Sequence, residues 1–287
     1  MAEALYPRFF AWMKNKGIKA SRLDWQSPGG GRVQGWIFSP PGPDRLMVVS
    51  LHGTGNDAFF PQCGLFARLL TAGHQVFAFD LDGHGQTSTS LLDRQEIRSA
   101  LPRALEQVRS AGQVHVLGHS LGGVLALDAL ARHSEKLRSL VLIGTPLKIS
   151  LSPGQFHREA LSPLFGSFWR QRRWYGVAGI FPAWGPFRRD RWPVRLSGQP
   201  GSFDYISRVR EIVADIDPQN AGNPQNLPVL SLHGRYDSIA PPDHGRIMSQ
   251  HLPGCTTDLV PGNHFTASLS KETADRVTTW LQKTEDS

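Results

Sequence analysis

The segment Gly118-His119-Ser120-Leu121-Gly122 constrains the fold of this chain more than any other stretch. Residues 114–117 directly before it are mostly apolar and β-branched, which predicts a buried strand, and residues 121–130 carry apolar side chains at helical spacing. Where a strand turns into a helix within one residue, the two backbones nearly touch, and glycine leaves the necessary room. The segment therefore predicts a tight strand–turn–helix junction with Ser120 at its apex, the alternative being a purely structural glycine-rich turn.

Bulk composition indicates a folded globular protein. The chain has 287 residues, of which 40% are hydrophobic and 19% charged, so one large core is expected, and no apolar run is long enough to cross a bilayer. Cys63 and Cys255 lack metal-ligand and CxxC spacing, which is compatible with a reducing compartment or an undemanding oxidising one. A cytoplasmic location is the default expectation. The net charge of +7 favours acidic ligands or surfaces without fixing a fold.

Strand and helix patterns alternate on both sides of the central segment. Residues 1–20 begin the chain with an amphipathic helix, predicted to pack on the body or a partner rather than to anchor it at a membrane, and residues 21–39 read as a hairpin. The predicted strands are Arg45–Leu51, Gln75–Phe79, Val114–Leu117, Leu137–Ile143, Leu227–Leu232 and Thr256–Val260, and the predicted helices include Cys63–Ala72, Arg94–Ala111 and Lys271–Lys283. This order is typical of an α/β protein with a mostly parallel sheet and helices on both faces.

The alternation stops at Thr145-Pro146. From there to about residue 226 the sequence has no buried-strand pattern, and aromatic residues and prolines crowd together. We predict that 145–226 is a helical cap inserted into a core made of 1–144 and 227–287.

Polar residues cluster at the predicted carboxyl ends of the strands, where ligands bind in open α/β sheets. A serine hydroxyl is a poor nucleophile unless a base takes its proton and an acid orients that base. Asp237 and His264 follow the last two predicted strands, and the order Ser, Asp, His suits such a sheet. We therefore predict Ser120 as nucleophile, Asp237 as acid and His264 as base. Asp237 also suits a simple turn, and His244 and His251, on a helical stretch, are rival bases.

Two backbone N–H groups are needed to bind the oxyanion that forms during acyl transfer. Leu121, directly after the nucleophile, is predicted to supply one, and Thr54, after a predicted strand and between Gly53 and Gly55, the other. His84, between two glycines, is predicted to be a turn residue rather than a catalyst.

Together these motifs resemble the α/β-hydrolase superfamily, from about residue 21 to the end except the cap. The residues that carry the resemblance are His52-Gly53-Thr54-Gly55, Asp80-x-x-Gly83-His84-Gly85-x-Thr87, Gly118-His119-Ser120-Leu121-Gly122, Asp237 and His264. The Gly-His-Gly and Gly-His-Ser-Leu-Gly forms are similar to the monoacylglycerol-lipase, lysophospholipase and serine-aminopeptidase-like branch. The resemblance implies hydrolysis of carboxylic esters through an acyl-enzyme, with no metal and no organic cofactor. Thioester hydrolysis, carbon–carbon bond hydrolysis, perhydrolysis and non-catalytic ligand binding remain alternatives.

The predicted cap is strongly basic between residues 157 and 195. The positive residues there are Arg158, Arg170, Arg172, Arg173, Arg188, Arg189, Arg191 and Arg195, against two acids, Glu159 and Asp190. Two interpretations stay open: a solvated basic face over a Trp-rich core, or a lid whose Trp169, Trp174 and Trp184 contact an acyl chain while the arginines meet anionic headgroups. The expected partner is a small, lipid-like ester, with peripheral contact to an anionic membrane surface. Nucleic acid is not expected, since no binding motif for it is present.

Overall fold

The computed structural model describes residues 3, 6–42, 45–88, 94–150 and 204–287. Within them lie the strands β1 (Lys19–Gln26), β2 (Arg32–Ser39), β3 (Arg45–Leu51), β4 (His74–Phe79), β5 (Val114–His119), β6 (Leu137–Ile143), β7 (Val229–Gly234) and β8 (Cys255–Val260). These strands form one eight-stranded sheet in the order β1-β2-β4-β3-β5-β6-β7-β8. β1 and β2 form an antiparallel hairpin that joins β4, and β3 to β8 are mutually parallel. The predicted α/β class with a mostly parallel sheet is confirmed.

Helices cover both faces of the sheet. The described α-helices are α1 (Pro7–Asn15), α2 (Cys63–Thr71), α3 (Arg94–Arg98), α4 (Ala100–Gln107), α5 (Leu121–His133), α6 (Asp204–Ile216), α7 (Pro242–His251) and α8 (Lys271–Asp286). Residues of α1, α2 and α8 pack together on one face, and residues of α3 to α7 pack on the other.

Alternating side chains of the strands divide the core into those two layers. In β3, Val48 faces the layer with α1, α2 and α8, while its neighbour Val49 faces the layer with α5. Both valines are fully buried. Because side chains alternate along a strand, a strand covered on both faces needs a continuous apolar run, and this explains why these strands lack a polar-alternating pattern.

The segment predicted as one helix, Arg94–Ala111, is divided in the structure. It forms α3, a break at Ser99, α4 and a 3₁₀ turn over Arg109–Ala111. The break has a physical cause in Pro102, which has no N–H to donate to the carbonyl of Arg98. A helix that restarts at Ala100 places Pro102 in its first turn, where no intrahelical N–H bond is required.

The described ends of the predicted insertion, 145–150 and 204–226, carry no strand. Helix α6 buries Val209, Ile212 and Val213 in the same layer as α5, so this part lies against the main core. The boundaries 145–226 and the nature of the cap stay a prediction. No helix within the described residues is long and apolar enough to span a membrane.

The carboxylate of Glu285 anchors α8 at the sheet edge opposite the carboxyl ends of the strands. Its Oε1 accepts hydrogen bonds from the backbone N–H of Leu46 and Nε2 of His115, both at 3.0 Å, and its Oε2 accepts from Arg45 at 3.1 Å. Glu285, His115 and His74 form a group in which the atoms that could bind a metal ion all lie within 4.8 Å of one another. Arg45 already supplies the positive charge that balances Glu285, so this group is a hydrogen-bonded anchor.

We expect Glu285→Ala to lower the free energy of unfolding by about 1–3 kcal/mol, because Leu46 and His115 lose a shared acceptor in a largely buried place. Urea unfolding followed by circular dichroism measures the change. The matched control is Asp286→Ala, which removes a neighbouring carboxylate that is 68% exposed and lies 3.4 Å from Arg45. Equal destabilisation by the two variants would contradict the anchor.

Candidate active site

Ser120 occupies a strained turn between β5 and α5. Its φ of 52° and ψ of −117° lie in a backbone region that residues other than glycine rarely adopt. A Cβ added to Gly118 would lie 2.7 Å from the carbonyl oxygen of Gly122, so the strand and the helix approach as the sequence predicts. A Cβ on Gly122 would instead overlap the carbonyl of Leu51, which means that α5 also presses on the end of β3.

The turn after β7 positions Asp237. One carboxylate oxygen, Oδ1, accepts the backbone N–H groups of Ile239 at 2.9 Å and Ala240 at 2.7 Å. These bonds fix the carboxylate while it remains buried. Asp237 is thus a turn residue as well as a candidate acid, and the two interpretations from the sequence describe the same geometry.

His264 lies between the other two residues. Its Nδ1 is 2.9 Å from Oδ2 of Asp237, and its Nε2 is 2.8 Å from Oγ of Ser120. Asn263 shapes this loop, because its side-chain oxygen accepts the backbone N–H groups of Phe265 and Thr266. The structure therefore joins three distant residues in one hydrogen-bonded series, acid to imidazole to hydroxyl.

The rival histidines lie elsewhere. His244, near the start of α7, accepts the backbone N–H of Leu147 at 3.3 Å, and His251 ends the same helix on the surface. His84 has its Nδ1 2.9 Å from the carbonyl oxygen of Asp82, a bond within its own turn, which agrees with the predicted turn role.

His119, adjacent to the serine, adds no charge beside His264. Its ring centroid lies 5.7 Å from that of His264. Complete burial lowers the pKa of His119 to about 3, so it is neutral at physiological pH. A positive charge on His264 would therefore not be repelled by the neutral ring of His119.

The two predicted backbone donors belong to segments that adjoin Ser120. Leu121 is the first residue of α5, where N–H groups have no intrahelical acceptor. Gly53, which precedes Thr54, packs against the serine: a Cβ added to Gly53 would lie 3.0 Å from Cβ of Ser120. The predicted substrate-contacting residues Trp169, Trp174 and Trp184, and the basic segment 157–195, lie outside the described residues.

Asp80, the buried acid directly after β4, belongs to a motif quoted from the sequence but received no role there. Its carboxylate accepts the backbone N–H of Ala58 at 2.8 Å and of Gln86 at 2.7 Å, joining the loop after β3 to the loop after β4. Burial, reinforced by the charge of Asp57, raises the pKa of Asp80 to about 7, although the two N–H groups oppose this. The signal available in the sequence was an acid placed directly after a buried strand.

Comparison with known proteins supports the fold and the family. Residues 47–183, which include Ser120, match the family model described as alpha/beta hydrolase fold. An esterase from Exiguobacterium antarcticum superposes with a TM-score of 0.67 at 17% identity, covering 91% of this chain and 99% of that one, a likeness that shows the fold. The chain belongs to the α/β-hydrolase superfamily.

Two curated relatives of this α/β-hydrolase carry named activities. The pimeloyl-[acyl-carrier protein] methyl ester esterase of Neisseria meningitidis is 28% identical over 224 residues, covering 74% of this chain and 84% of the relative. The probable lysophospholipase BODYGUARD 3 of Arabidopsis thaliana is 28% identical over 125 residues, covering 40% of this chain and 25% of the relative.

We expect Gly122→Ala to lower the free energy of unfolding by about 1–3 kcal/mol, because the added methyl group collides with the backbone at the end of β3. Gly64→Ala is the matched control, since Gly64 is likewise the second residue of a helix but has open space around it. Alanine there should stabilise the α/β-hydrolase by up to about 1 kcal/mol. Urea unfolding checks both, and a stabilising Gly122→Ala would refute the close approach.

Because of Asp80, we expect the free energy of unfolding to fall as the pH rises. Its folded pKa of about 7 lies above the unfolded value near 4, so between these values the folded state keeps a proton that the unfolded state has lost. The free energy of unfolding should therefore decrease from about pH 4 to about pH 7 and then level off. Urea titrations at pH 5 and pH 7.5 should show a smaller decrease for Asp80→Asn than for the wild type. Asp243→Asn, at an exposed position, should keep the wild-type decrease.

Proposed function

We propose that this α/β-hydrolase is a serine esterase that cleaves carboxylic esters through an acyl-enzyme on Ser120. The observation that carries the proposal is the series of contacts from Asp237 through His264 to Ser120 Oγ, with 2.9 Å and 2.8 Å at its two links. Distances of this length allow a proton to pass from the hydroxyl to the imidazole.

The first half of the reaction forms the acyl-enzyme. Nε2 of His264 takes the proton of Ser120 Oγ as the oxygen attacks the ester carbonyl carbon, and Asp237 stabilises the imidazolium and keeps its Nδ1–H in place. The carbonyl electrons move onto the oxygen, which is bound by the N–H groups of Thr54 and Leu121. When the carbonyl re-forms, the alcohol leaves with the proton from His264.

The second half releases the acid. Nε2 of His264 takes a proton from water, whose oxygen attacks the acyl carbon and passes through the same oxyanion site. The ester bond to Ser120 breaks, Oγ regains its proton from His264, and the carboxylic acid departs. Every proton is carried by the chain's own side chains.

Ester hydrolysis is favoured over the other reactions that this site allows, because the match to the methyl ester esterase covers 74% of this chain. A lipid-like ester is a finer proposal, supported by the lysophospholipase relative over a shorter stretch and by the tryptophans of the predicted cap. The cytoplasmic location and the contact with anionic membranes stay predictions from the sequence.

A panel of p-nitrophenyl esters from acetate to palmitate tests the activity, with Ser120→Ala as the decisive variant. We expect that variant to lose on the order of a millionfold in kcat, since no other group replaces the nucleophile. Ser249→Ala, an exposed serine on α7, is the matched control and should retain wild-type rates.

The chain-length profile separates the finer proposals. A maximum at long acyl chains supports a lipid-like substrate, and turnover of acetate alone contradicts it. A wild-type protein that neither cleaves any ester of the panel nor reacts at Ser120 with a fluorophosphonate would exclude the esterase and favour a ligand-binding role. Labelling of Ser120 without ester turnover would direct attention to thioesters, carbon–carbon bonds and perhydrolysis.

A further inference from the structure

The peptide that links Gly53 to Thr54 borders the nucleophile closely. A Cβ added to Gly53 would lie 3.0 Å from Cβ of Ser120 and 2.7 Å from Nδ1 of His119, so the glycine backbone is pressed against β5 and the turn. An N–H group contributes to an oxyanion site only if its peptide plane is held at a fixed angle. Within a loop, something outside the peptide must hold that angle.

Two hydrogen bonds determine where His52 carries its proton. Its Nε2 lies 2.9 Å from the backbone nitrogen of Leu81, and its Nδ1 lies 2.8 Å from the carbonyl oxygen of Gly53. The Leu81 N–H is a donor, so Nε2 must accept, and the Gly53 carbonyl is an acceptor, so Nδ1 must donate. Only the neutral imidazole with its proton on Nδ1 satisfies both partners.

The surroundings of His52 maintain this neutral form. The ring is 1% exposed, and the ring of His84 packs edge-on with centroids 5.0 Å apart. Burial, with a smaller contribution from His84, lowers the pKa of His52 well below its ordinary value. His52 therefore stays uncharged at neutral pH, and both of its hydrogen bonds persist.

The partner on the far side of the ring is itself fixed. Leu81 follows Asp80, whose carboxylate is bonded to the backbone on both loops, at Ala58 and Gln86. His52 therefore spans from a rigid point after β4 to the carbonyl of Gly53. The carbonyl also accepts the backbone N–H of Asn56 at 3.3 Å, which adds to the restraint.

In a trans peptide, the C=O of one residue and the N–H of the next point in opposite directions. We propose that His52 is a positioning residue: by holding the Gly53 carbonyl on its own side, it turns the N–H of Thr54 toward the oxyanion that forms on the ester bound at Ser120. This inference rests on the proposed esterase function and assigns a role to the histidine of the His52-Gly53-Thr54-Gly55 motif.

Two substitutions of His52 separate its two hydrogen bonds. In His52→Asn, the side-chain NH₂ replaces Nδ1–H and keeps a donor for Gly53, whereas in His52→Gln, the longer side chain keeps a carbonyl acceptor for Leu81 but loses that donor. Each variant loses one bond, so a merely structural role predicts equal effects. We expect kcat on p-nitrophenyl acetate to fall about ten- to a hundredfold in His52→Gln, with KM within about threefold, and to fall much less in His52→Asn.

A trifluoromethyl ketone provides the second readout, because it binds serine hydrolases as a hemiketal oxyanion. Its inhibition constant should weaken in His52→Gln by the same factor as kcat, and less in His52→Asn. Equal kcat in the two variants, or wild-type kcat in His52→Gln, would overturn the positioning role. A wild-type protein that a fluorophosphonate leaves unlabelled at Ser120 would instead refute the esterase function itself.

The tautomer can be measured in the unmodified protein, independently of folding in the variants. Long-range ¹H–¹⁵N spectra of the wild type should show His52 with a protonated Nδ1 and an unprotonated Nε2, unchanged between pH 6 and pH 8. A proton on Nε2, or a charged ring in this range, would overturn the inference.

Discussion

The close approach of α5 to the sheet is the constraint on which the rest of the site depends. Gly118 permits the contact between β5 and the helix, and Gly122 permits the contact between the helix and the carbonyls that end β3. The strained backbone of Ser120 is the result of this packing, not an isolated distortion. The same contact places β3, and the loop that follows it, next to the serine. The candidate nucleophile and the candidate oxyanion donors are therefore positioned by the same packing contact.

Much of this arrangement was predictable from the sequence because strand ends are readable as apolar runs followed by polar residues. Ser120, Asp237 and His264 each stand at such an end, and parallel strands bring their ends to one edge of the sheet. The break at Ser99 was also readable from Pro102, although helical periodicity alone favoured a continuous helix. Local chemistry sufficed wherever the determining residues lie close together in the chain.

Other features could not be predicted because they depend on partners far apart in the chain. Glu285 accepts from Leu46 across 239 positions, and no local pattern marks either residue for that contact. The direction of the hydrogen bonds of His52 depends on Leu81, 29 positions away on another loop. The sequence placed His52 in a motif, but the location of its proton follows only from which groups surround the ring.

The chain order of the site has a consequence for biosynthesis. His264 contacts Ser120 across 144 positions, and it follows β8, the last strand of the sheet to be translated. The elements that flank the serine turn, β3, β5 and α5, all precede residue 134, so they are translated well before the candidate base. A nascent or truncated chain that lacks residue 264 therefore carries a hydroxyl with no proton acceptor beside it. Under the proposed mechanism, Ser120 thus gains its proton acceptor only after β8 has been made.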